Sequence, residues 1–513
     1  MKIILITIAY YNFELRPLNF ELIIIGSGLG GLVSGIILAK EGYSVCILEK
    51  NHQAGGNLQS FTRNGHKFST GLHYIGSMDE GQTLHRFFKY LGIIGKVPLK
   101  KMDESGYDRL TFGEEETVYH HAMGWENFRE TLSKQFPSER DAISKYVSAI
   151  RDSIKGIPLY DLENAYSSDL EPAQMNRCTM PFINSLTDDR RLTAVLAGAN
   201  SIYHGAAQRT PLYLHSCIRN SFVSSAWRIA GGSEKLVNAL VEAFTAAGGT
   251  LITDAKVTGF EFDGDDISAA VLDDGRKFFG NQFISNVHPA VTLQMIPEDK
   301  VRRAYRQRIQ SLENSAGFFT LYLVFKPGFF PYQDFNHFHY YSGDYFDDIL
   351  PEGQWPHTYL VYTPFYEDND GFTRTASILS FMKYEDYKQW DGLAPDQRGQ
   401  DYLDFRELSS QKLLNEVEKR YPGIRSGIEQ VYNSTPLTFT DYTGTPHGSG
   451  YGIMKDCENP VRTIIQPRTK IPNLFFTGQN QNIHGVVGTT VNAILTCAEF
   501  TGFRYLVDKI IHA

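Results

Sequence analysis

No stretch of this chain reaches the roughly 18 uninterrupted apolar residues that a membrane-spanning helix needs. Polybasic blocks, internal repeats and low-complexity tracts are also missing. Positive charge is in deficit: 49 lysines and arginines against 58 acids leave a formal net charge of −9, which argues against the electrostatic footprint of a nucleic-acid binder. Cysteine is sparse. Cys46, Cys178, Cys217, Cys457 and Cys497 show neither CxxC nor paired spacing, so they read as buried thiols of a reduced compartment, forming neither a disulfide frame nor a zinc site. The N-terminal MKIILITIAYY has one lysine and a short apolar run but no small-residue cleavage site, and so does not read as a secretory leader. The expected location is cytoplasmic, with peripheral membrane contact left open. The segment before Phe20 is expected to be either an extra edge strand or a disordered extension.

What is present describes a globular protein. A chain of 513 residues exceeds the size at which one hydrophobic core keeps growing, so two domains are expected. Phe20 to Ile25 is strand-like, and Gly26, Gly28 and Gly31 follow it in GxGxxG register before the helical pattern LVSGIILAKEG. Gly26 permits the tight turn, Gly28 lets backbone approach a pyrophosphate, and Gly31 lets helix pack on strand, while the helix N-terminus offers free N–H groups to phosphates. Tyr43 to Leu48 is a second short strand. It closes at Glu49, twenty-three residues beyond Gly26, where a carboxylate meets the ribose hydroxyls of an adenine dinucleotide. Dinucleotide binding follows, with Glu49 as the ribose ligand.

A second glycine-rich stretch follows, and the run GSGLGG…LEKNHQAGGN…GLHYIG resembles the FAD-binding start of the flavoprotein superfamily that holds amine oxidases, phytoene desaturases, carotenoid isomerases and retinol saturases. GLHYIG resembles the saturase and isomerase branch. The resemblance implies FAD as cofactor, held by Lys50 beside Glu49, by Gly55, Gly56 and Asn57, and by a loop from Gly71 through His73 to Tyr74 beside the flavin. Asn57 stands where many members have arginine, and Ser69 where many have aspartate.

The resemblance continues at the C-terminal end, where Asn473 to Thr477 reads as a strand and a helix starts at Gly485. It implies that Gly478 and Gln479 run along the ribityl and pyrophosphate, and that the amides around Gly488, Thr489 and Thr490 face the flavin's pyrimidine edge, where a helix N-terminus stabilises negative charge. Between the two ends, GGSEKL opens an amphipathic helix, and the segment from Leu251 to ISNVHP alternates apolar and polar residues with Asp-Gly turns, as a three-stranded meander does. Val257 on it is the expected backbone partner of the FAD.

The fold expected is thus α/β: a Rossmann-like FAD-binding domain, discontinuous over 20–100, 226–290 and 456–513, with an inserted α+β substrate domain from 101–225 and 291–455. Within the insertions Trp125 to Ile157 is helical in pattern, and Met180 to Phe222 mixes amphipathic helices with a Tyr203-His204-Gly205 turn. FFPYQDFNHFHYYSGDYFDDI and WPHTYLVYTPFY are rich in aromatic residues, which suit a slot for a flat conjugated ligand and equally suit plain sheet packing. DYTGTPHGSGYGI is expected to turn near the substrate cavity. His337, His339 and His357 lack carboxylate spacing for a metal and read as structural.

The function implied is an FAD-dependent oxidoreductase acting on the carbon–carbon bonds of an apolar polyene, carotenoid or retinoid in type, by saturation, desaturation or isomerisation. The partner is a hydrophobic small molecule, and oligomeric state is left open. His73, Tyr74 and His484 are the candidates for proton transfer. Two alternatives stand beside this reading. One is a flavin amine oxidase. The other is a flavin-free carrier of prenyl chains, like the GDP-dissociation inhibitors, against which the intact positions Gly26, Gly28, Gly31 and Glu49 argue.

Overall fold

The apolar run from Phe20 to Ile25 lies in strand β1 (Asn19–Ile25), which leads straight into helix α1 (Leu29–Lys40) and strand β2 (Val45–Leu48). This computed structural model describes residues 19–157, 159–160, 162, 175–198, 200–203, 208–341, 355–366 and 370–513. The segment before Asn19, expected to be an edge strand or a disordered extension, most of the Tyr203-His204-Gly205 turn and the end of the first aromatic segment lie outside them.

β1 is central in a seven-stranded sheet. On one side it pairs parallel with β2, which pairs with β3 (Thr250–Ile252), also parallel. On the other side β1 pairs parallel with β6 (Lys277–Ser285), reached through an antiparallel meander of β4 (Val257–Asp263) and β5 (Asp266–Leu272). β6 is long enough to serve two neighbours. Its first residues carry β5, and Phe283–Ser285 carry β7 (Leu474–Phe476) in parallel register. The region read as three strands therefore holds four. Leu251 leaves the meander to join β2, because Asp254 takes a left-handed φ of 51° and turns the chain between β3 and β4.

Every residue of α1 except Lys40 is buried, because α2 (Glu234–Ala246) and α3 (Gly485–Thr501) pack against it on the sheet. Such burial requires small residues. A Cβ on Gly35 would lie 2.9 Å from Ile47 and from Phe244. Leu32, Ile36, Leu240, Phe244 and Ile494 form this core, each contributing about 1.5–3 kcal/mol for the larger side chains.

A second seven-stranded sheet runs in the order Ile428–Ser434, Gly317–Phe325, Thr375–Met382, Thr358–Tyr362, Asn336–Tyr340, Asp108–Phe112 and Tyr119–His121. A three-stranded sheet of Ile75–Gly76, Ala226–Ile229 and Leu99–Lys101 joins the two regions. The helical stretch from Trp125 breaks at Phe136-Pro137 into Trp125–Gln135 and Arg140–Ile154, since proline removes a helical N–H.

One expectation fails. Cys178 and Cys457 form a disulfide, with Cα atoms 5.5 Å apart across 279 residues of sequence. The fold brings an insertion and the C-terminal segment together there, a proximity that spacing along the chain does not carry. Cys46, Cys217 and Cys497 are buried free thiols, as expected. The cysteine argument for a reduced compartment thereby loses its basis. No described helix is long and apolar enough to cross a membrane.

Candidate functional site

Two glycine loops meet at the end of β1. Gly26 turns the chain at φ +91°, and Gly28 forms a parallel bridge to Gly55, whose N–H donates to the Ser27 carbonyl at 3.2 Å. A Cβ on Gly56 would lie 3.1 Å from the Gly28 Cα, so side chains are excluded where the loops touch. Glu49 anchors this junction from the end of β2. Its Oε2 accepts from the Ser27 N–H at 2.9 Å and from Ser27 Oγ at 2.5 Å, and its Oε1 accepts from the Asn51 N–H at 2.9 Å. Oε2 is thereby filled, and Oε1 keeps a lone pair for a ligand hydroxyl.

Asn286, just after β6, is a site residue that sequence reading missed. Added Cβ atoms would lie 2.7 Å from its amide at Gly28, 2.6 Å at Gly30 and 2.3 Å at Gly478. One side chain thus fixes the spacing of two distant glycine segments. The signal lay within the quoted ISNVHP, but nothing local marks its asparagine as facing three glycines.

At the far end, His484 precedes α3, and the first turn of that helix opens on a cavity. Asn492 donates to the carbonyls of Gly478 (2.9 Å) and Ile483 (2.8 Å), locking the preceding loop to the helix. A Cβ on Gly488 would lie 2.7 Å from Ile483. The open amides and the helix dipole give this end a positive character. Gln479 accepts from Asn57 Nδ2 at 3.4 Å.

A cavity of about 430 Å³ joins these parts. Gly26, Gly28, Glu49, Lys50, Gly55 and Gly56 line one end of it, and Asn57, Gly71, His73, Tyr74 and Val257 continue the wall. Gln479, Gly488 and Thr489 complete the cofactor candidates that face it, and the proton-transfer candidate His484 lies among them. Gly31, Gly478 and Thr490 do not. Gly31 packs against the Gly26 carbonyl, Gly478 lies behind Asn286, and Thr490 Oγ1 donates back to the Val486 carbonyl at 2.8 Å.

Beyond Tyr74 the lining is largely apolar, with Phe222, Phe318, Phe338, Leu360, Phe381 and Phe439 beside the neutral polar residues Ser201, Ser221 and Thr358. The two aromatic segments divide between the readings given above. Phe338, Tyr359 and Leu360 line the cavity, whereas Phe330 stacks on Phe325 at 4.5 Å within a buried cluster. His337 Nε2 and His339 Nδ1 each lie 2.8 Å from Thr111 Oγ1. The late glycine segment reaches the wall at Gly450 and Tyr451.

The proton-transfer candidates differ in kind. His73 stacks on Tyr362 at 4.5 Å and its Nδ1 is buried without a partner. Burial and the nearby Arg228 guanidinium push it down to about 3. His484 sits 4.7 Å from the Tyr451 ring, has an unpartnered Nε2, and burial lowers it to about 4. Both imidazoles are neutral at pH 7, so they offer hydrogen bonds and hold no spare proton. Tyr74 stacks on Phe222 at 4.0 Å and its hydroxyl donates to Asp108 Oδ2 at 3.1 Å.

A dinucleotide cofactor fits what is present. The glycine cradle leaves no room for a Cβ at Gly28, Gly55 or Gly56 without a shift, and buried Asn57 Oδ1, His73 Nδ1 and His484 Nε2 lack partners around the same cavity, where an unmade hydrogen bond costs about 1–3 kcal/mol.

Comparison with known proteins agrees with this geometry. Residues 29–499 match the family model described as flavin containing amine oxidoreductase. All-trans-retinol 13,14-reductase of Danio rerio is 25% identical over 537 aligned positions, covering 94% of this chain and 86% of the relative. The chloroplastic prolycopene isomerase of Daucus carota is 22% identical, covering 91% and 77%. Putrescine oxidase bound to putrescine shares the fold at a TM-score of 0.61 and 14% identity, covering 94% of this chain and 99% of that one.

Proposed function

Because the chain belongs to the flavin containing amine oxidoreductase family, we propose that it is an FAD-dependent enzyme that reduces a carbon–carbon double bond of an apolar polyene of the retinoid or carotenoid class. The bound flavin supplies the two electrons, exchanged as hydride with a substrate carbon. The protein's own residues bind, orient and keep the slot dry. Glu49 takes the ribose hydroxyls, and the loops at Gly26–Gly28 and Gly55–Asn57 admit the pyrophosphate. The amides at Gly488 and Thr489 place positive potential where negative charge develops on reduction. The domain carrying the first sheet is the cofactor domain, and the second sheet belongs to the substrate domain.

The observation that carries this reading is the cavity itself. It runs from the glycine loops to a wall of phenylalanines and leucines, and Glu49, at the cofactor end, is the one acid among its described lining residues. An ammonium substrate would find no carboxylate in the apolar half, and burying it unpaired is costly. A flat hydrocarbon meets mainly aromatic and aliphatic faces there, with neutral hydroxyls such as those of Ser201, Ser221 and Thr358 between them. Two similar sequences are named as an all-trans-retinol 13,14-reductase and a prolycopene isomerase, and those names support the same substrate class.

The test is product analysis. Incubation of the holoenzyme with an electron donor and a retinoid should yield a product heavier by two hydrogens. Turnover of diamines without conversion of any polyene would return the amine oxidase reading.

A further inference from the structure

We propose that Tyr74 and Asp108 form a proton relay at the junction of the cavity's two halves: Tyr74 gives its hydroxyl proton to the substrate carbon next to the one that takes hydride, and Asp108 refills the phenol. The relay rests on the polyene-reduction reading above.

The geometry assigns each atom a part. Tyr74 lines the cavity, is 6% exposed, and its ring is fixed against Phe222. Asp108 lies behind it and is 2% exposed. Asn336, in register with Asp108 on the adjacent strand, donates its Nδ2 to Asp108 Oδ1 at 2.9 Å. An amide N–H cannot accept a proton, so the proton of the neutral carboxyl resides on Oδ2. That oxygen faces the Tyr74 hydroxyl at 3.1 Å. A buried carboxyl is a costly occupant of a strand face that otherwise supplies the apolar core residues Leu110 and Phe112, and packing alone favours an aliphatic residue there.

The surroundings set its proton affinity. Tyr74, Tyr107 and Tyr340 face Asp108, as do Asn336, the Arg219 and Arg228 guanidiniums and, across the strand pair, His121. Burial dominates and pushes the carboxyl up to about 6, against the opposing hydrogen bonds from Asn336 and Tyr74 and the two arginines. Below that pH the carboxyl is loaded and donates to the phenol oxygen, freeing the phenol O–H for substrate. Above it the carboxylate holds that O–H away from substrate.

The step balances. As the double bond opens, a C–H bond forms at one carbon from hydride supplied by the reduced flavin, and a second C–H bond forms at its neighbour as the Tyr74 O–H breaks. The Asp108 Oδ2–H bond breaks as the phenol is restored. The double bond is reduced, the cofactor is oxidised, and the carboxylate regains its proton from water after product leaves.

The experiment uses the full-length FAD-loaded protein and its Asp108→Asn and Tyr74→Phe variants, with flavin content and thermal melting confirming that each is folded. Reoxidation of the anaerobically reduced enzyme by retinol is followed against pH in H2O and D2O. The wild type should slow about tenfold per unit as pH rises above roughly 6 and show a solvent isotope effect. Asp108→Asn should lose that pH dependence and slow on the order of 100-fold, and Tyr74→Phe should lose the isotope effect. An infrared pH titration of the cofactor-free protein reads the same carboxyl without substrate. A protonated-carboxyl band vanishing near pH 6 in the wild type, and missing in Asp108→Asn, supports the relay. A wild-type pH profile retained in Asp108→Asn, a Tyr74→Phe rate within twofold of wild type, or no such band would overturn it. A reduced wild type that no polyene reoxidises, with the band present, would instead sink the substrate reading.

Discussion

Replacing Gly31 by alanine separates two ways in which a glycine loop holds a cofactor. A Cβ on Gly31 would lie 2.1 Å from the Gly26 carbonyl oxygen, so α1 and the turn must part by roughly 1.3 Å to reach ordinary contact, an overpacking that costs about 1–3 kcal/mol. Alanine returns about 1 kcal/mol of helix propensity. The clash is backbone against side-chain root, with no rotamer to relieve it, so the cost falls at the upper end of that range and the net expectation is a loss of about 2 kcal/mol. Moving the turn also displaces Ser27 from Glu49, and flavin affinity should fall at least about tenfold. Gly28→Ala provides the contrast. Its Cβ would meet the Asn286 Nδ2 at 2.7 Å and otherwise only Asn286 Cγ at 3.9 Å, so Asn286→Ala should restore the melting temperature of flavin-free Gly28→Ala, though not its flavin content, while leaving Gly31→Ala unimproved. Flavin content by absorbance and the melting temperature with and without added FAD read both effects as a double-mutant cycle. Wild-type flavin content and melting in Gly31→Ala, or no coupling between positions 28 and 286, would refute the packing argument.

Other substitutions test other joints. Glu49→Ala removes the acceptor of the Ser27 and Asn51 amides as well as the proposed ribose ligand, and should lower FAD retention by roughly 10- to 100-fold in equilibrium dialysis; unchanged affinity would break the ribose assignment. Lys455 is fully buried and donates to the carbonyls of Thr463, Asn480 and Gln481 at 2.7–3.0 Å, so Lys455→Met should cost about 3 kcal/mol or more in chemical denaturation. A variant as stable as the wild type would show those carbonyls to be otherwise satisfied. Cys457→Ser opens the link to Cys178 and should lower stability by about 2–4 kcal/mol. Dithiothreitol should then lower the melting temperature of the wild type and not that of the variant; equal responses would argue against the bond.

Legibility in the sequence followed the range of the interaction. The strand, glycine turn and helix from Phe20 to Lys40 and the acid at Glu49 are local patterns, each with a steric or electrostatic reason that a short window contains. Asn286 is not, because its partners are Gly28, Gly30 and Gly478, and only the folded sheet brings them together. Asp108 was equally hidden. Its contacts, Tyr74 and Asn336, are 34 and 228 residues away, and an isolated aspartate at the start of a strand reads as a surface residue. The aromatic segments could be assigned to strands but not divided between cavity and core, since alternation gives two faces without saying which one a ligand occupies. Phe338 and His337 are neighbours in sequence, yet Phe338 lines the cavity while His337 bonds Thr111 and Tyr421.

The measurement that bears most directly on the central claim is the visible spectrum of the purified protein, recorded anaerobically as it is reduced and then mixed with retinol or a carotenoid. One cavity holding both a flavin and a polyene predicts an oxidised-flavin spectrum that bleaches on reduction and returns when the polyene is added. A colourless protein that FAD fails to reconstitute would contradict the account.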